Sequence, residues 1–186
     1  MGVMGESGEI HDFHECLKRS HEYEDMPWWE EVYKKAFAGF KSMTSVRQDG
    51  WAQRGGIDRI IVLASGKVLK VDEKVREKNY GDILLERWSD MRRQTPGWVQ
   101  KDLACDYIAY AVAPKKTCFL LPFQQLRMAW LNHGRGWIIR AESTDDLDLD
   151  YRMIEAKNNG YVTQSVAVPI KTLYDCIGEA MRIEWA

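Results

Sequence analysis

The chain has 186 residues, 45% of them hydrophobic and 29% charged, with a formal net charge of -2. That length fits one globular domain able to bury its own core without a disulfide or metal staple. The charge balance excludes a uniformly basic nucleic-acid binder, so any surface for phosphates has to be a local patch. No apolar run approaches the roughly 18–20 residues of a membrane span. The four cysteines, Cys16, Cys105, Cys118 and Cys176, are widely spaced and form no CxxC pair. With no signal-peptide pattern ahead of them, they read as reduced thiols of a cytoplasmic protein.

Residues 1–25 are polar and without a clear period, and are expected to form an N-terminal arm ahead of a single α/β domain over 26–186. Trp29, Val32, Tyr33, Ala36 and Phe40 recur at helical spacing, with Glu30, Glu31, Lys34 and Lys35 on the other side, which predicts a helix over 28–40. Gly55-Gly56 breaks the chain. Ile57 to Ala64 is a β-prone run, Ser65-Gly66 a tight turn, and Lys67 to Arg76 a second strand, so a hairpin is expected. Asp82 to Trp88 reads as a third strand and Thr95-Pro96-Gly97 as a loop. Asp106 to Val112 and Thr117 to Leu121 are the fourth and fifth strands, turning at Pro114 to Lys116. A helix starts at Pro122 and is expected to stop at Gly134 and Gly136. After an acidic stretch over 142–150 and an Asn159-Gly160 turn comes a strand over Ser165 to Val168. Pro169 then opens a final helix containing Leu173, Tyr174, Ile177 and Met181. The order of elements is mixed α/β.

The second strand carries the chemistry. Successive side chains alternate faces. Leu69, Val71 and Val75 fall on one side with Lys67 and Glu73, while Lys70, Asp72, Lys74 and Arg76 fall on the other with Val68. Asp58 lies near the start of the preceding strand, fourteen residues before Asp72, and the hairpin can bring the two carboxylates close. Paired carboxylates repel unless a cation sits between them, and Mg²⁺ favours one or two carboxylates completed by water and phosphate oxygens. Lys74 beside such a pair is placed to orient or help deprotonate an attacking water.

An Asp, a hairpin and then Asp-x-Lys resembles the signature of the PD-(D/E)XK nucleases, here Gly56-Ile57-Asp58, a 13-residue spacer and Asp72-Glu73-Lys74. Ile57 replaces the proline of the family motif. The resemblance implies a restriction-endonuclease-like αβββαβ core, a mixed sheet flanked by helices, matched here from about 28 to 130. It implies Mg²⁺- or Mn²⁺-dependent hydrolysis of DNA phosphodiester bonds, with Asp58 and Asp72 as metal ligands and Lys74 as the catalytic lysine. The setting it implies is phage or mobile-element recombination, repair or restriction, and a homodimer is a common assembly of the fold. Many members add a Glu on the first helix, for which Glu31 or Glu30 is the candidate, and Glu86 near the third strand is a further accessory carboxylate. The middle residue of Asp-x-Lys usually faces the core and is apolar. Here it is Glu73, which requires a partner or a strand end that water reaches.

Arg54, Arg59, Lys67, Lys70, Arg76 and Lys78 are candidates for the local phosphate-binding patch, which Arg92, Arg93 and Lys101 would extend. Trp51 and Trp98 sit in loops where an indole is able to stack on unpaired bases. His11, His14, Cys16 and His21 have zinc-type side chains, but their spacing matches no usual zinc signature, and a polar arm explains them more simply. The acidic residues Asp145, Asp146, Asp148 and Asp150 lack the glycine and terminal Glu of a calcium loop and read as solvated. Two readings stand beside the enzyme: a non-catalytic nucleic-acid-binding module on the same fold, and an unrelated α/β interaction protein.

Overall fold

The computed structural model describes residues 26–143, 150–178 and 180–186. The arm over 1–25, with His11, His14, Cys16 and His21, lies outside them, as do Asp145, Asp146 and Asp148 of the acidic stretch. The protein is mixed α/β.

The first helix, α1 (Trp28–Ala36), places Glu30 and Glu31 in its first turn and Lys34 and Lys35 in its last, matching the helix dipole at both ends. It buries Trp29, Val32 and Tyr33. After Gly39, in the left-handed region at φ 74°, strand β1 (Phe40–Ser45) leads to the short helix α2 (Gly50–Arg54). The Asp49 side chain caps α2 by accepting from the backbone N–H groups of Trp51 and Ala52. Strands β2 (Arg59–Leu63) and β3 (Val68–Arg76) form the expected hairpin, with Gly66 at φ 83° in its turn. Strands β4 (Asp82–Asp90), β5 (Thr95–Pro96), β6 (Tyr107–Val112) and β7 (Thr117–Pro122) follow. The long helix α3 (Phe123–Glu142), strands β8 (Arg152–Asn158) and β9 (Tyr161–Pro169), helix α4 (Ile170–Ile177) and strand β10 (Met181–Glu184) complete the described chain.

The strands form two sheets, one ordered β1-β2-β3-β6-β7-β10 and the other β5-β4-β9-β8. In the first, β6 runs parallel to β3 and every other pairing is antiparallel. Its central strands are buried on both faces, so they read as continuous apolar runs. Ala109, Ala111, Cys118 and Leu120 pack under α1, while Ile108, Tyr110, Val112, Phe119 and Leu121 face the second sheet, α3 and α4.

Several expectations change. The third strand, β4, does not extend the β2–β3 hairpin as an αβββ order requires. It pairs with β9 in the second sheet, and the free edge of β3 is taken by β6. Local sequence sets a strand's existence but not its partner, and β9 lies some 80 residues away. The helix after Pro122 also runs past both glycines to Glu142. Gly134 belongs inside it because a Cβ there would come 2.9 Å from the Trp130 ring. Met181 is in β10 rather than the last helix, which ends at Gly178 with φ 77°. Finally, the first helix stops at Ala36 rather than Phe40, and β1, β5, β8 and β10 appear where no strand was expected.

Candidate active site

The hairpin register builds the site. Arg59 lies opposite Val71, and Asp58, one residue earlier, sits close enough to Asp72 for its charge to bear on that carboxyl. Asp58 stands just ahead of β2. Its N–H donates to the Val71 carbonyl at 2.9 Å, and its own carbonyl accepts from the Val46 N–H at 2.9 Å. Its carboxylate accepts from the Glu73 backbone N–H at 2.8 Å through Oδ2, and Arg47 approaches Oδ1 at 3.5 Å.

Asp72 projects from the same face as Lys74 and is only 4% exposed. Lys74 Nζ donates to Asp72 Oδ1 at 2.7 Å. Burial pushes the Asp72 carboxyl up to about 6 from its ordinary 3.8. The Lys74 charge opposes that rise and the neighbouring Asp58 adds to it. The ammonium of Lys74 is held above its usual range by Asp72 against the cost of its own burial, with smaller help from Asp58 and Glu86.

These groups lie in a cleft of about 850 Å³ between the β2–β3 hairpin and the second sheet. The second sheet lends it Leu84 and Glu86 from β4 and Ser165 from β9. The turn of 3₁₀ helix at Trp98–Gln100 and the segment after it add Trp98, Lys101 and Leu103. The Trp98 wall is fixed tightly. Gly97 N–H donates to the Arg87 carbonyl at 2.7 Å and Trp98 N–H to Glu86 Oε1 at 3.3 Å. A side chain at position 97 would overlap the Glu86 carbonyl. Lys74 Nζ stands 5.8 Å over the Trp98 ring.

Glu73 resolves its apparent conflict with a core position. Its side chain points to the α1 side, fully buried, and is met by donors from three residues. Arg59 binds it twice, Nε to Oε1 at 3.0 Å and Nη2 to Oε2 at 3.1 Å. Tyr33 donates its hydroxyl to Oε1 at 2.6 Å, and Arg47 donates to Oε2 at 3.0 Å. A buried carboxylate persists where it is paired and hydrogen-bonded in this way. Burial first, and then the Glu73 charge, push the Tyr33 hydroxyl well above its ordinary value.

The phosphate-binding candidates divide. Arg54 and Arg76 line the cleft, as does Lys101. Arg76 is also bound to Asp82. Arg59 is excluded: it is 4% exposed and its guanidinium is committed to Glu73 on the far side of the sheet. Lys70 and Lys78 are exposed but do not line the cleft. Glu31 is excluded as an accessory carboxylate. It binds Lys35 at 2.7 Å and accepts from the Ala186 N–H at 3.1 Å, on the helix that covers the opposite face. Glu30 pairs with Lys34 at 2.7 Å on the same helix. Arg47, Gln53 and Tyr110 line the cleft without having been singled out in the sequence. Arg47 follows the unforeseen strand β1, so nothing local marked it.

The donor set suits a hard divalent cation: two neighbouring carboxylates, the buried one held above the usual carboxylate range. Among the described residues no group of three or more His, Cys, Asp or Glu side chains gathers around one metal position. Mg²⁺ does not need one, since water and phosphate oxygens complete its shell. No helix among the described residues is long and apolar enough to cross a membrane. Comparison of the chain with protein families, with curated proteins and with solved structures yields no match.

Proposed function

We propose that the cleft hydrolyses phosphodiester bonds of DNA with the help of Mg²⁺ or Mn²⁺, as a PD-(D/E)XK-type nuclease on a restriction-endonuclease-like core. What supports this most is one juxtaposition: Asp58 and Asp72 close enough that the charge of one bears on the other, with Lys74 Nζ 2.7 Å from Asp72. Asp58 and Asp72 would hold the cation, which when bound supplies Lewis-acid polarisation of a phosphate and a more acidic water. Lys74 steers a water by hydrogen bonding and offsets negative charge that builds on the phosphate. Arg54, Arg76 and Lys101 at the cleft attract the DNA backbone. Glu86 holds the Trp98 backbone and adds negative charge near Lys74. A cytoplasmic setting in phage or mobile-element recombination, repair or restriction belongs to the same reading, as does a homodimer.

The test is cleavage of labelled single-stranded, duplex, flap and four-way-junction DNAs with Mg²⁺ or Mn²⁺, comparing the wild type with Asp72→Ala and Lys74→Ala. Metal-dependent cutting lost in both variants is the expected result. A second reading, a non-catalytic binding module, draws on Arg47 and Lys74, which already neutralise the two carboxylates. Metal-independent DNA binding with no cutting of any substrate would select it.

A further inference from the structure

The shape and walls of the cleft point to the form of its substrate. Asp72 lies at its floor, 4% exposed, between two sheets rather than on an open face. A double helix is stiff and carries its phosphates on a convex outer surface, so it meets the rim of such a recess before the floor. Its bases are also already stacked on one another and offer no free face to an aromatic wall. A single strand bends into a recess and turns its bases outward.

The walls carry platforms for such bases. The backbone at Trp98 is held by the hydrogen bonds of Gly97 and of its own N–H, the ring packs partly against the core, and Lys74 Nζ stands 5.8 Å over its face, so a base stacked there shares that face with the ammonium. Trp51 is 76% exposed, the most exposed large apolar side chain among the described residues. It stands on α2, where Gln53 and Arg54, two and three residues further on, line the cleft. Leaving an indole in water forgoes the gain of burying it, which a stacked base would supply. Arg54 beside it provides the charge for a backbone phosphate, the usual pairing of cation and aromatic ring in single-strand grooves.

We propose that the cleft takes an unpaired DNA strand, with bases stacked on Trp98 and Trp51 and the backbone drawn across Arg54 toward Asp58 and Asp72. This rests on the reading of the cleft as a phosphodiester site. The experiment is fluorescence anisotropy of a labelled oligo-dT and of a blunt duplex of equal length, with EDTA present so that nothing is cut. It uses the wild type, Trp51→Ala, Trp51→Phe and Trp98→Ala, with parallel cleavage assays in Mg²⁺. Oligo-dT is expected to bind at least tenfold more tightly than the duplex. Each Ala variant is expected to weaken it by roughly 5- to 150-fold, the range for one stacked base, and Trp51→Phe to recover part of the loss. Trp51 is exposed, so its variants keep the fold even if Trp98→Ala does not. Duplex binding as tight as oligo-dT binding, or oligo-dT binding unchanged in Trp51→Ala, overturns the inference, and duplex cutting would then leave the nuclease intact. Oligo-dT bound through both indoles but never cut supports the inference and removes the nuclease instead.

Discussion

The backbone N–H of Glu73 donates to Asp58 Oδ2 at 2.8 Å while the Glu73 side chain turns to the opposite face of the sheet and binds Arg59. One residue therefore anchors a cleft carboxylate through its main chain and a buried ion pair through its side chain. Glu73→Leu leaves the buried Arg59 guanidinium without its carboxylate, which is expected to cost about 3–5 kcal/mol. Combining Glu73→Leu with Arg59→Met is expected to recover part of that loss, since Tyr33 and Arg47 still lose Glu73 as an acceptor. The main-chain bond to Asp58 survives both changes, so Mn²⁺ affinity should fall far less than stability. Urea unfolding and Mn²⁺ titration check this, and a double variant as unstable as the two single losses added together would refute it.

Lys74→Met removes the ammonium at 2.7 Å from Asp72 and keeps the length of the side chain. Cleavage is expected to fall by about 10²–10⁴-fold, the usual contribution of a positioned proton-handling group. Oligonucleotide binding should change little. Single-turnover kinetics beside anisotropy separates the two, and an equal loss in both would reduce Lys74 to a binding residue.

The Asp72 carboxyl is raised to about 6 in the folded protein. A carboxyl raised above its unfolded value of about 3.9 favours the fold fully below that value, and the contribution is lost as pH rises through about 6. Wild-type stability should therefore carry a declining component between about pH 4 and pH 6.5 that Asp72→Asn lacks. Cation binding competes with the same proton, so Mn²⁺ affinity should climb across that interval and level off above it. Denaturant titrations at stepped pH test the first expectation. A Mn²⁺ affinity independent of pH from 5 to 7.5 would contradict the second.

Gly97 packs so closely on β4 that any side chain meets the Glu86 carbonyl. Gly97→Ala is expected to cost about 1–3 kcal/mol, the usual range for overpacking, and to displace Trp98 from the cleft wall. Thermal unfolding reads the first effect. Oligo-dT affinity reads the second, and a stable variant with unchanged affinity would show that the Trp98 wall does not depend on this contact.

The hairpin was legible because its determinants are local. Ser65-Gly66 sets the turn, and the alternation from Val68 to Arg76 sets the face of every side chain. That was enough to bring Asp58, Asp72 and Lys74 together. The edge strands were hidden for the opposite reason. Residues Phe40–Ser45 are exposed or half-buried throughout, so β1 has no apolar face to advertise. Strand β10 is four residues long, and its Met181 falls in helical spacing with Ile177. Arg59 looked like surface charge because its partner, Glu73, sits on the other strand, fourteen positions further along the chain. The cleft's second wall was out of reach for the same reason, since β4 meets β9 through long-range pairing.

The chain crosses between its two sheets four times: β1–β3 in the first, β4–β5 in the second, β6–β7 back, β8–β9 across again, and β10 home. Neither sheet is a contiguous stretch of chain, so each depends on pairings between strands far apart in sequence. Long-range pairing of this kind slows folding. It should also make loss of structure concerted, with circular dichroism and tryptophan emission changing over the same denaturant range. On that expectation the two walls of the cleft, one from each sheet, are lost over the same denaturant range.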